Sequence, residues 1–285
     1  MISIIIPTFN RLNWLKICLN ALSLSVQNKE VEIIIIDDGS TDGTKYFLDH
    51  FSPQMNIRLH VLHQKRGGPA KARNFGVRVA QGGIVCFIDD DSIVAPEWFS
   101  QIQNTFDNIE RNCAAVKGRV FAYQNSYLPN FLEKYIHISD SWASNNIAFQ
   151  KDIFINVGGF DENFTFAAWE DLDLGFRLEC MGYRRFYNER MVIRHPHEES
   201  IENLKRKLKV NGVGFYQFCK KWINIDRKLI IRMWLERLRV IYYLVPGIEQ
   251  FDYLRYIHGL RIKYEIYGLL IGLISGGKFK KFTKD

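Results

Sequence analysis

Residues 31–42 read VEIIIIDDGSTD: five of the first six are β-branched, and two aspartates and a run of small polar residues follow them. A short apolar run of this kind is typical of a strand buried on both faces of a sheet. The Ser-Thr-Asp run supplies N-cap side chains for a helix over residues 41–51. The stretch therefore predicts a strand, a polar turn and a helix in succession.

Strand and helix patterns alternate on both sides of this stretch. Short runs rich in isoleucine, valine and leucine predict further strands over residues 2–6, 57–63 and 84–88. Apolar residues recur at helical spacing over residues 13–26 and 68–80. This β-α-β-α-β-α-β order is typical of an α/β protein with a mostly parallel sheet that helices cover on both faces.

Polar side chains follow three of the predicted strands. Thr8 and Asn10 come after the first strand, Asp37 and Asp38 after the second, and residues 89–91 (DDD) after the fourth. Open α/β sheets bind their ligands at the carboxyl ends of the strands. Three polar groups at one edge of the sheet therefore predict a binding site there.

The three consecutive aspartates at 89–91 need a positive partner. Adjacent carboxylates repel one another, and a strand end offers little water to spread their charge. Mg²⁺ and Mn²⁺ commonly bind between carboxylates and substrate phosphates, so the run predicts a divalent-cation site. The alternative is helix capping by Asp91 before the turn at residues 95–98, which needs only one acid.

The composition of the 285-residue chain is that of an ordinary globular protein, with 47% hydrophobic and 24% charged residues. The five cysteines are scattered and form no C-x-x-C pair, which favours a reducing cytosol over a zinc site or a disulfide framework. No leader pattern is visible, and the longest uncharged apolar stretch, residues 266–274, is shorter than the roughly twenty residues of a spanning helix. We therefore expect a cytoplasmic protein that does not span the membrane.

The charge is distributed unevenly along the chain. Residues 1–200 carry 20 basic and 24 acidic side chains, whereas residues 201–285 carry 18 and 7. Because the second segment is also helical in pattern, we expect a large domain over 1–200, with halves at 1–91 and 92–200, and a basic helical extension. The basic surface is either simply solvated or attracts an anionic partner, such as a lipid leaflet or a phosphate-bearing acceptor.

The residues at the predicted site also resemble a known family. IDDD at 88–91 is similar to the D-x-D motif of family 2 glycosyltransferases, and IPTFN at 6–10, IDDGSTD at 36–42 and a G-x-x-x-A-R-N pattern at 68–74 match further family motifs in the same order. The resemblance implies the GT-A (Rossmann-like) fold with a C-terminal helical extension. It also implies inverting transfer of a sugar from a nucleotide-sugar donor, with UDP favoured and Mn²⁺ or Mg²⁺ as cofactor.

The resemblance assigns a role to each matched position in the first half. The donor nucleotide is expected to contact residues of three loops and of the third helix: Pro7, Thr8, Asn10, Asp38, Lys71, Arg73, Asp89 and Asp90. Asp38 is the expected acceptor for the nucleobase, and Asp89 the expected contact to ribose. Asp91 is expected to bind the metal ion.

The second half supplies the expected base. WED at 169–171 follows GGFDE at 158–162, a spacing that the family shares. The resemblance makes Asp171 the base that removes the acceptor proton, Glu170 a group that orients the acceptor, and Trp169 a flat wall for a sugar ring. The alternative for the two acids is a favourable charge in the first turn of a helix.

Two further positions complete the predicted site. His195 ends a predicted strand, and in several metal-dependent relatives a histidine at this place completes the cation site. His197 is the alternative ligand. Asn146 lies in a segment that resembles the lining of the family's donor-sugar pocket.

The expected acceptor is a glycan or a lipid-linked saccharide, as in the assembly of cell-surface polysaccharides, and residues 201–285 predict peripheral attachment at the inner face of the cell membrane. Two other functions stay open: a non-catalytic nucleotide-binding module of the same fold, and a sugar-phosphate nucleotidyltransferase. The latter needs a glycine-rich loop where the chain has PTFNR at 7–11. Nucleic acid is not an expected partner, because the aromatic residues of the extension follow the helical spacing of a packed core.

Overall fold

The computed structural model describes residues 1–27, 29–52, 57–110, 112–122, 142–164, 168–196 and 201–228, with single positions beyond at 230, 231, 233 and 270. Within this part lie eight strands and seven helices. In chain order they are β1 (Ile2–Thr8), α1 (Leu12–Ser25), β2 (Val31–Asp37), α2 (Thr44–His50), β3 (Arg58–His63), α3 (Pro69–Val79), β4 (Ile84–Ile88), β5 (Ile93–Val94), α4 (Trp98–Phe106), β6 (Cys113–Ala122), β7 (Asn146–Gln150), α5 (Lys151–Asn156), α6 (Glu170–Cys180), β8 (Arg184–His195) and α7 (Ile201–Trp222).

The chain divides into two compact units. The first comprises Met1–Thr165 and Glu170–Glu199 and contains all of the described strands. The second comprises Phe166–Trp169 and Ser200–Asp285 and contains α7. None of the described helices combines the length and the apolar character that crossing a membrane would require.

The strands form a single sheet in the order β3-β2-β1-β4-β7-β6-β8-β5. The first four are parallel neighbours, which confirms the parallel sheet predicted from the sequence. The other half is mixed: β7 is antiparallel to both β4 and β6, β8 is parallel to β6, and β5 is antiparallel to β8. In the parallel half the carboxyl ends share one edge, where Thr8 pairs with Asp37.

Both faces of the parallel half are covered. Ile4 and Ile33 point into a core shared with α1 and α4, whereas Ile5 and Ile34 point into a core shared with α3, α5 and α6. At Gly76 of α3 an added Cβ would lie 2.6 Å from the Ile5 side chain, so the helix rests directly on the sheet. This double burial explains why the strands read as unbroken isoleucine runs rather than as an alternating pattern.

The mixed half contains one irregular pairing. The register between β6 and β8 shifts between Gly118 and Arg119. Where the ladder is interrupted, the carbonyl oxygens of Arg119 and Met191 accept hydrogen bonds of 3.0 and 2.9 Å from Asn146 Nδ2. An added Cβ on Gly118 would lie 2.3 Å from both that amide and the Met191 carbonyl, so glycine is required for this crossing.

Candidate active site

The loop after β1 is fixed to the loop after β2. Asn10 adopts φ +52°, a left-handed conformation that asparagine tolerates better than most residues. Its Oδ1 accepts a 2.7 Å hydrogen bond from the Thr41 amide, and its own amide donates to Ser40 Oγ at 3.0 Å. Asn10 therefore lies at the predicted edge. Pro7 is half-buried at the end of β1 beside it.

Asp37 and Asp38, at the end of β2, stabilise the turns that follow this strand. Buried Asp37 accepts from the Ser40 amide at 2.9 Å. Asp38 accepts from the amides of Gly67 and Gly68 at 2.7 and 2.9 Å and from Gln64 Nε2 at 2.7 Å. Asp38 thus organises the loop that leads into α3, and its contact with a nucleobase stays a prediction. Lys71, also predicted to contact the donor, is exposed in the first turn of that helix.

Three side chains after β4 and β8 form a cluster that we call the metal cluster: Asp89, Asp91 and His195. Their nearest ligand atoms all lie within 4.8 Å of one another, and Nε2 of His195 is 3.0 Å from Asp91 Oδ1 and 3.4 Å from Asp89 Oδ2. On the other side of the ring, Nδ1 lies 2.7 Å from the Pro196 carbonyl oxygen. That contact orients the imidazole so that Nε2 faces the carboxylates.

The metal cluster suits a divalent cation. Two carboxylates and one imidazole form a donor set that accommodates Mn²⁺ and, less specifically, Mg²⁺. Burial disfavours the charged imidazolium, yet the pKa of His195 is raised to about 10 because Asp89 and Asp91 favour it. The carboxylates thus attract positive charge at the point that a cation would occupy. His197, the alternative ligand, lies outside the described residues.

The middle aspartate of the triplet is held differently. Asp90 is buried, accepts a 2.7 Å hydrogen bond from Thr8 Oγ1, and lies 3.4 Å from Arg11 Nη1. Arg11 also pairs with Asp91, although half of its side chain is exposed. Burial, and then the neighbouring Asp91, raise the pKa of Asp90 to about 7 despite the arginine. Thr8 and Asp90 therefore contact each other at the predicted edge, and their contacts with a donor stay predictions.

Arg73 connects the metal cluster to α6. It is only 4% exposed, and its two Nη atoms donate to Asp89 Oδ1 at 2.8 Å and to Glu170 Oε1 at 3.2 Å. Arg73 is predicted to lie near the donor, and in the structure it lies beside Asp89. Because both terminal nitrogens are occupied by carboxylates, its direct role in the structure is to hold these two acids together.

The first two residues of α6, Glu170 and Asp171, form what we call the acid pair. Burial and the adjacent Asp171 raise the pKa of Glu170 to about 8. Its Oε2 has no hydrogen-bond partner among the described residues. Asp171 is partly exposed, accepts from the Ser144 amide at 3.2 Å and from the Leu172 amide at 2.8 Å, and has its pKa raised chiefly by burial. Asp171 is thus the accessible member of the pair.

The structure contradicts the role predicted for Asn146. It was predicted to line the donor-sugar pocket, but it is fully buried. Its Oδ1 accepts a 2.8 Å hydrogen bond from Trp98 Nε1, while its Nδ2 holds the two carbonyls at the β6–β8 irregularity. All of its polar atoms are therefore used inside the protein, and the prediction is wrong.

The structure also contradicts the role predicted for Trp169. Its ring is 5% exposed, packs at centroid distances of 5.0 and 5.3 Å from Phe215 and Phe218, and donates from Nε1 to Asn211 Oδ1 at 2.7 Å. These contacts lie within the second unit. The ring is therefore a core element of that unit and not the predicted open wall for a sugar.

Two basic residues at the site were not among those predicted from the sequence. Arg11 follows the first motif directly and pairs with two of the three aspartates. Lys117 is buried in β6, where its Nζ donates to the Ala143 carbonyl and to Asn145 Oδ1. A lysine inside the apolar strand CAAVKGRVFA is a visible sequence signal, because an ammonium group enters a core only when polar groups receive it.

Comparison with known proteins identifies the class to which this site belongs. Residues 3–168 match the model of "Glycosyl transferase family 2". The chain is 36% identical over 129 residues to the glycosyltransferase GlyG of Streptococcus pneumoniae, covering 44% of this chain and 41% of that protein. It is 30% identical over 262 residues to the uncharacterized glycosyltransferase EpsJ of Bacillus subtilis, covering 79% of this chain and 74% of that protein. The chain belongs to glycosyl transferase family 2.

Solved structures show the same fold. A mannosyltransferase from Pyrobaculum calidifontis in complex with GDP-Man and Mn²⁺ superposes with a TM-score of 0.62 at 17% identity, over 96% of this chain and 73% of that one. TarS 1–349 of S. aureus in complex with UDP superposes with a TM-score of 0.55 at 19% identity, over 100% of this chain and 94% of that one. These similarities confirm the GT-A fold that the motifs implied.

Proposed function

We propose that the protein is a metal-dependent, inverting glycosyltransferase that moves a sugar from a nucleoside-diphosphate sugar, with UDP favoured, to an acceptor hydroxyl. The observation that carries the proposal is the Arg73 bridge. By contacting Asp89 and Glu170 at 2.8 and 3.2 Å, it brings the start of α6, where Asp171 lies, next to the metal cluster. A donor diphosphate and an acceptor base are the two things that such transfer needs in one place.

In this proposal, different residues of the chain have separate roles in the reaction. The loops tied together by Asn10 and Asp38 form the surface for the nucleoside, and the metal cluster would hold Mn²⁺ or Mg²⁺. A bound cation neutralises charge on the departing diphosphate. Asp171 accepts the proton of the acceptor hydroxyl as that oxygen attacks the anomeric carbon. Inversion follows from a single in-line displacement, which requires one base and no enzyme nucleophile.

The first test measures thermal unfolding with UDP, GDP or dTDP, each with and without Mn²⁺. A ligand at a hundred times its dissociation constant adds about 2.7 kcal/mol to the free energy of unfolding, which is several degrees in apparent melting temperature. We expect this increase with UDP only when Mn²⁺ is present. Asp91→Ala should lose it, while Asp107→Ala, which removes an exposed acid, should keep it.

The outcomes separate the candidate functions. A metal-dependent shift that Asp91→Ala abolishes supports the donor site and identifies the nucleotide. A shift together with UDP release from UDP-glucose, UDP-galactose or UDP-GlcNAc supports transfer. A shift without release from any nucleotide sugar, in the presence of glycan acceptors, favours the non-catalytic module. No shift with any nucleotide contradicts the proposal.

We also propose that the acceptor is a glycan or lipid-linked saccharide and that the protein acts at the cytoplasmic face of the cell membrane. Within the described part of the second unit, Lys220 and Lys221 are exposed at the end of α7, and Ile225, just beyond them, is 70% exposed. Basic and apolar groups side by side suit an anionic lipid surface. Three further lysines near the end of the basic extension, Lys278, Lys280 and Lys281, lie outside the described residues.

Co-sedimentation with vesicles tests the membrane proposal. The full chain should pellet with phosphatidylserine-containing vesicles at low salt, and less at high salt or with pure phosphatidylcholine. Lys220→Gln/Lys221→Gln should weaken the binding, whereas Lys16→Gln/Lys65→Gln, at exposed sites of the first unit, should not. Equal sedimentation with neutral and anionic vesicles, or none with either, contradicts the proposal.

A further inference from the structure

Lys117 occupies a position where an aliphatic residue would be expected. It follows the buried residues 114–116 in β6, is itself 2% exposed, and pairs with Ile147 across the sheet. Ala115, two positions earlier on the same face, belongs to the core shared with α6, so Lys117 points toward the layer in which α6 lies. Removing an ammonium group from water costs several kcal/mol, so its presence needs a specific reason.

The Nζ atom of Lys117 receives its compensation from one short segment. It donates to the carbonyl oxygen of Ala143 at 3.0 Å and to Oδ1 of Asn145 at 2.9 Å. Among the described residues, no carboxylate lies within ion-pair distance of it. Lys117 therefore binds the residues on either side of Ser144 through two charge-assisted hydrogen bonds.

Ser144 is the residue that holds Asp171. Its backbone amide donates to Asp171 Oδ2 at 3.2 Å, while Asp171 Oδ1 accepts from the amide of Leu172 in the same helix. Only the first of these bonds comes from outside α6. The orientation of the carboxylate about its own helix therefore depends on where the segment 143–145 lies, and that segment is held by Lys117.

We propose that Lys117 is a positioning residue for Asp171, acting through the segment 143–145. The inference rests on the proposed function, because it assigns a purpose to Lys117 only if Asp171 acts as the base. Burial lowers the pKa of Lys117 to about 8, and the negative charges of Asp171 and Asp89 oppose this decrease. The ammonium group also favours the ionised form of Asp171, which is the form that accepts a proton.

The test compares Lys117→Met with wild type in UDP release from whichever of UDP-glucose, UDP-galactose and UDP-GlcNAc the wild type uses with Mn²⁺. Methionine fills a similar volume without charge, but the Ala143 carbonyl and Asn145 Oδ1 lose their donor, so we expect the free energy of unfolding to decrease while the protein still folds. A displaced base costs on the order of 100-fold in rate, so we expect kcat to fall by roughly 10- to 100-fold. The KM for the sugar nucleotide and the Kd for UDP with Mn²⁺ should stay within about 2-fold, because the donor contacts are untouched.

A double variant distinguishes positioning from general stabilisation. In Lys117→Met/Asp171→Asn, the loss relative to Asp171→Asn alone should be less than about 3-fold, because a residue that acts through Asp171 has nothing left to position. Asn145→Ala removes one of the two acceptors without touching the charge and should lower kcat with the same pattern. Lys151→Met is the matched control: this lysine also donates to a backbone carbonyl, that of Ala80, and its loss should leave kcat unchanged.

The possible results are distinct. Full kcat in Lys117→Met, or losses that multiply in the double variant, overturn the inference while leaving the proposed function intact. If Lys117→Met does not fold, Asn145→Ala decides in its place, and full kcat there overturns the inference. Failure of the proposed function appears earlier, as a wild type that releases no UDP from any of these donors.

Discussion

The metal cluster and the acid pair both contain carboxylates, yet the pKa of Asp89 in the metal cluster is lowered whereas the pKa values of the acid pair are raised. Around Asp89, bonds from His195 and Arg73 outweigh burial and hold its pKa below the usual range. In the acid pair, burial dominates and raises the pKa of both Glu170 and Asp171. Arg73 contacts both groups, but most of the positive charge lies on the side of the metal cluster.

This difference matches two kinds of chemistry. A metal ligand must be deprotonated to bind, so neighbouring positive charge suits it. A general base works best when its pKa approaches the working pH, and burial achieves that for an aspartate. The same residue type can therefore serve as ligand and as base within one site, because the surroundings separate the pKa values.

The largest expected effect comes from removing the proposed base. Asp171→Asn keeps the shape of the side chain but cannot accept the proton, so turnover should fall by about 10²–10⁴-fold. The melting-temperature increase with UDP and Mn²⁺ should persist, since the metal cluster is intact. Measuring turnover and the melting-temperature increase in one preparation distinguishes the role of the acid pair from that of the metal cluster. Asp152→Asn, at an exposed acid in the first turn of α5, is the control. An Asp171→Asn enzyme with more than about a tenth of wild-type turnover would contradict the assignment.

The next effect is on stability. Arg73→Leu leaves Asp89 and Glu170 without their shared buried partner, and breaking a buried pair in this way typically costs about 3–5 kcal/mol in the free energy of unfolding. Urea unfolding measures the loss. Arg78→Leu on the same helix removes a largely exposed arginine and should change stability by less than about 1 kcal/mol. Similar losses in both variants would show that the bridge between the two groups is not special.

The third expected effect concerns the pH dependence of stability. Burial and the adjacent Asp171 raise the pKa of Glu170 to about 8 in the folded protein, whereas the ordinary pKa of 4.5 applies in the unfolded chain. The folded state therefore loses relative stability as pH rises through this window. Glu170→Gln cannot titrate, so its melting temperature minus that of wild type should increase from pH 5 to pH 8. Glu110→Gln, at an exposed site, is the control. A difference that stays constant with pH would rule out a raised pKa at Glu170.

Much of the site could be predicted because its residues follow strands or begin helices. A strand end fixes where a side chain lies in the sheet, so the apolar runs before Asp37 and Asp89 were enough to place both at one edge. His195 could be located in the same way at the end of β8. The predictions for Asp37 and Asp89 need only the parallel order of β1, β2 and β4, which the sequence pattern determines.

The direction of a side chain inside the mixed half could not be predicted. Asn146 pairs with Ile88 in antiparallel register, and its amide turns inward because the β6–β8 ladder is interrupted beside it. That interruption depends on contacts between residues distant in the chain. Trp169 is similar: its neighbours Phe215 and Phe218 lie more than forty positions away. Motif position alone therefore does not determine the direction in which a side chain points.

The half-exposed guanidinium of Arg11 gives the aspartate triplet a countercharge that belongs to the chain itself. We therefore expect the chain to fold without a divalent cation, so addition of a chelator should leave the melting temperature of the first unit unchanged. If the chain works as proposed, purification in EDTA followed by Mn²⁺ addition should accordingly return full activity.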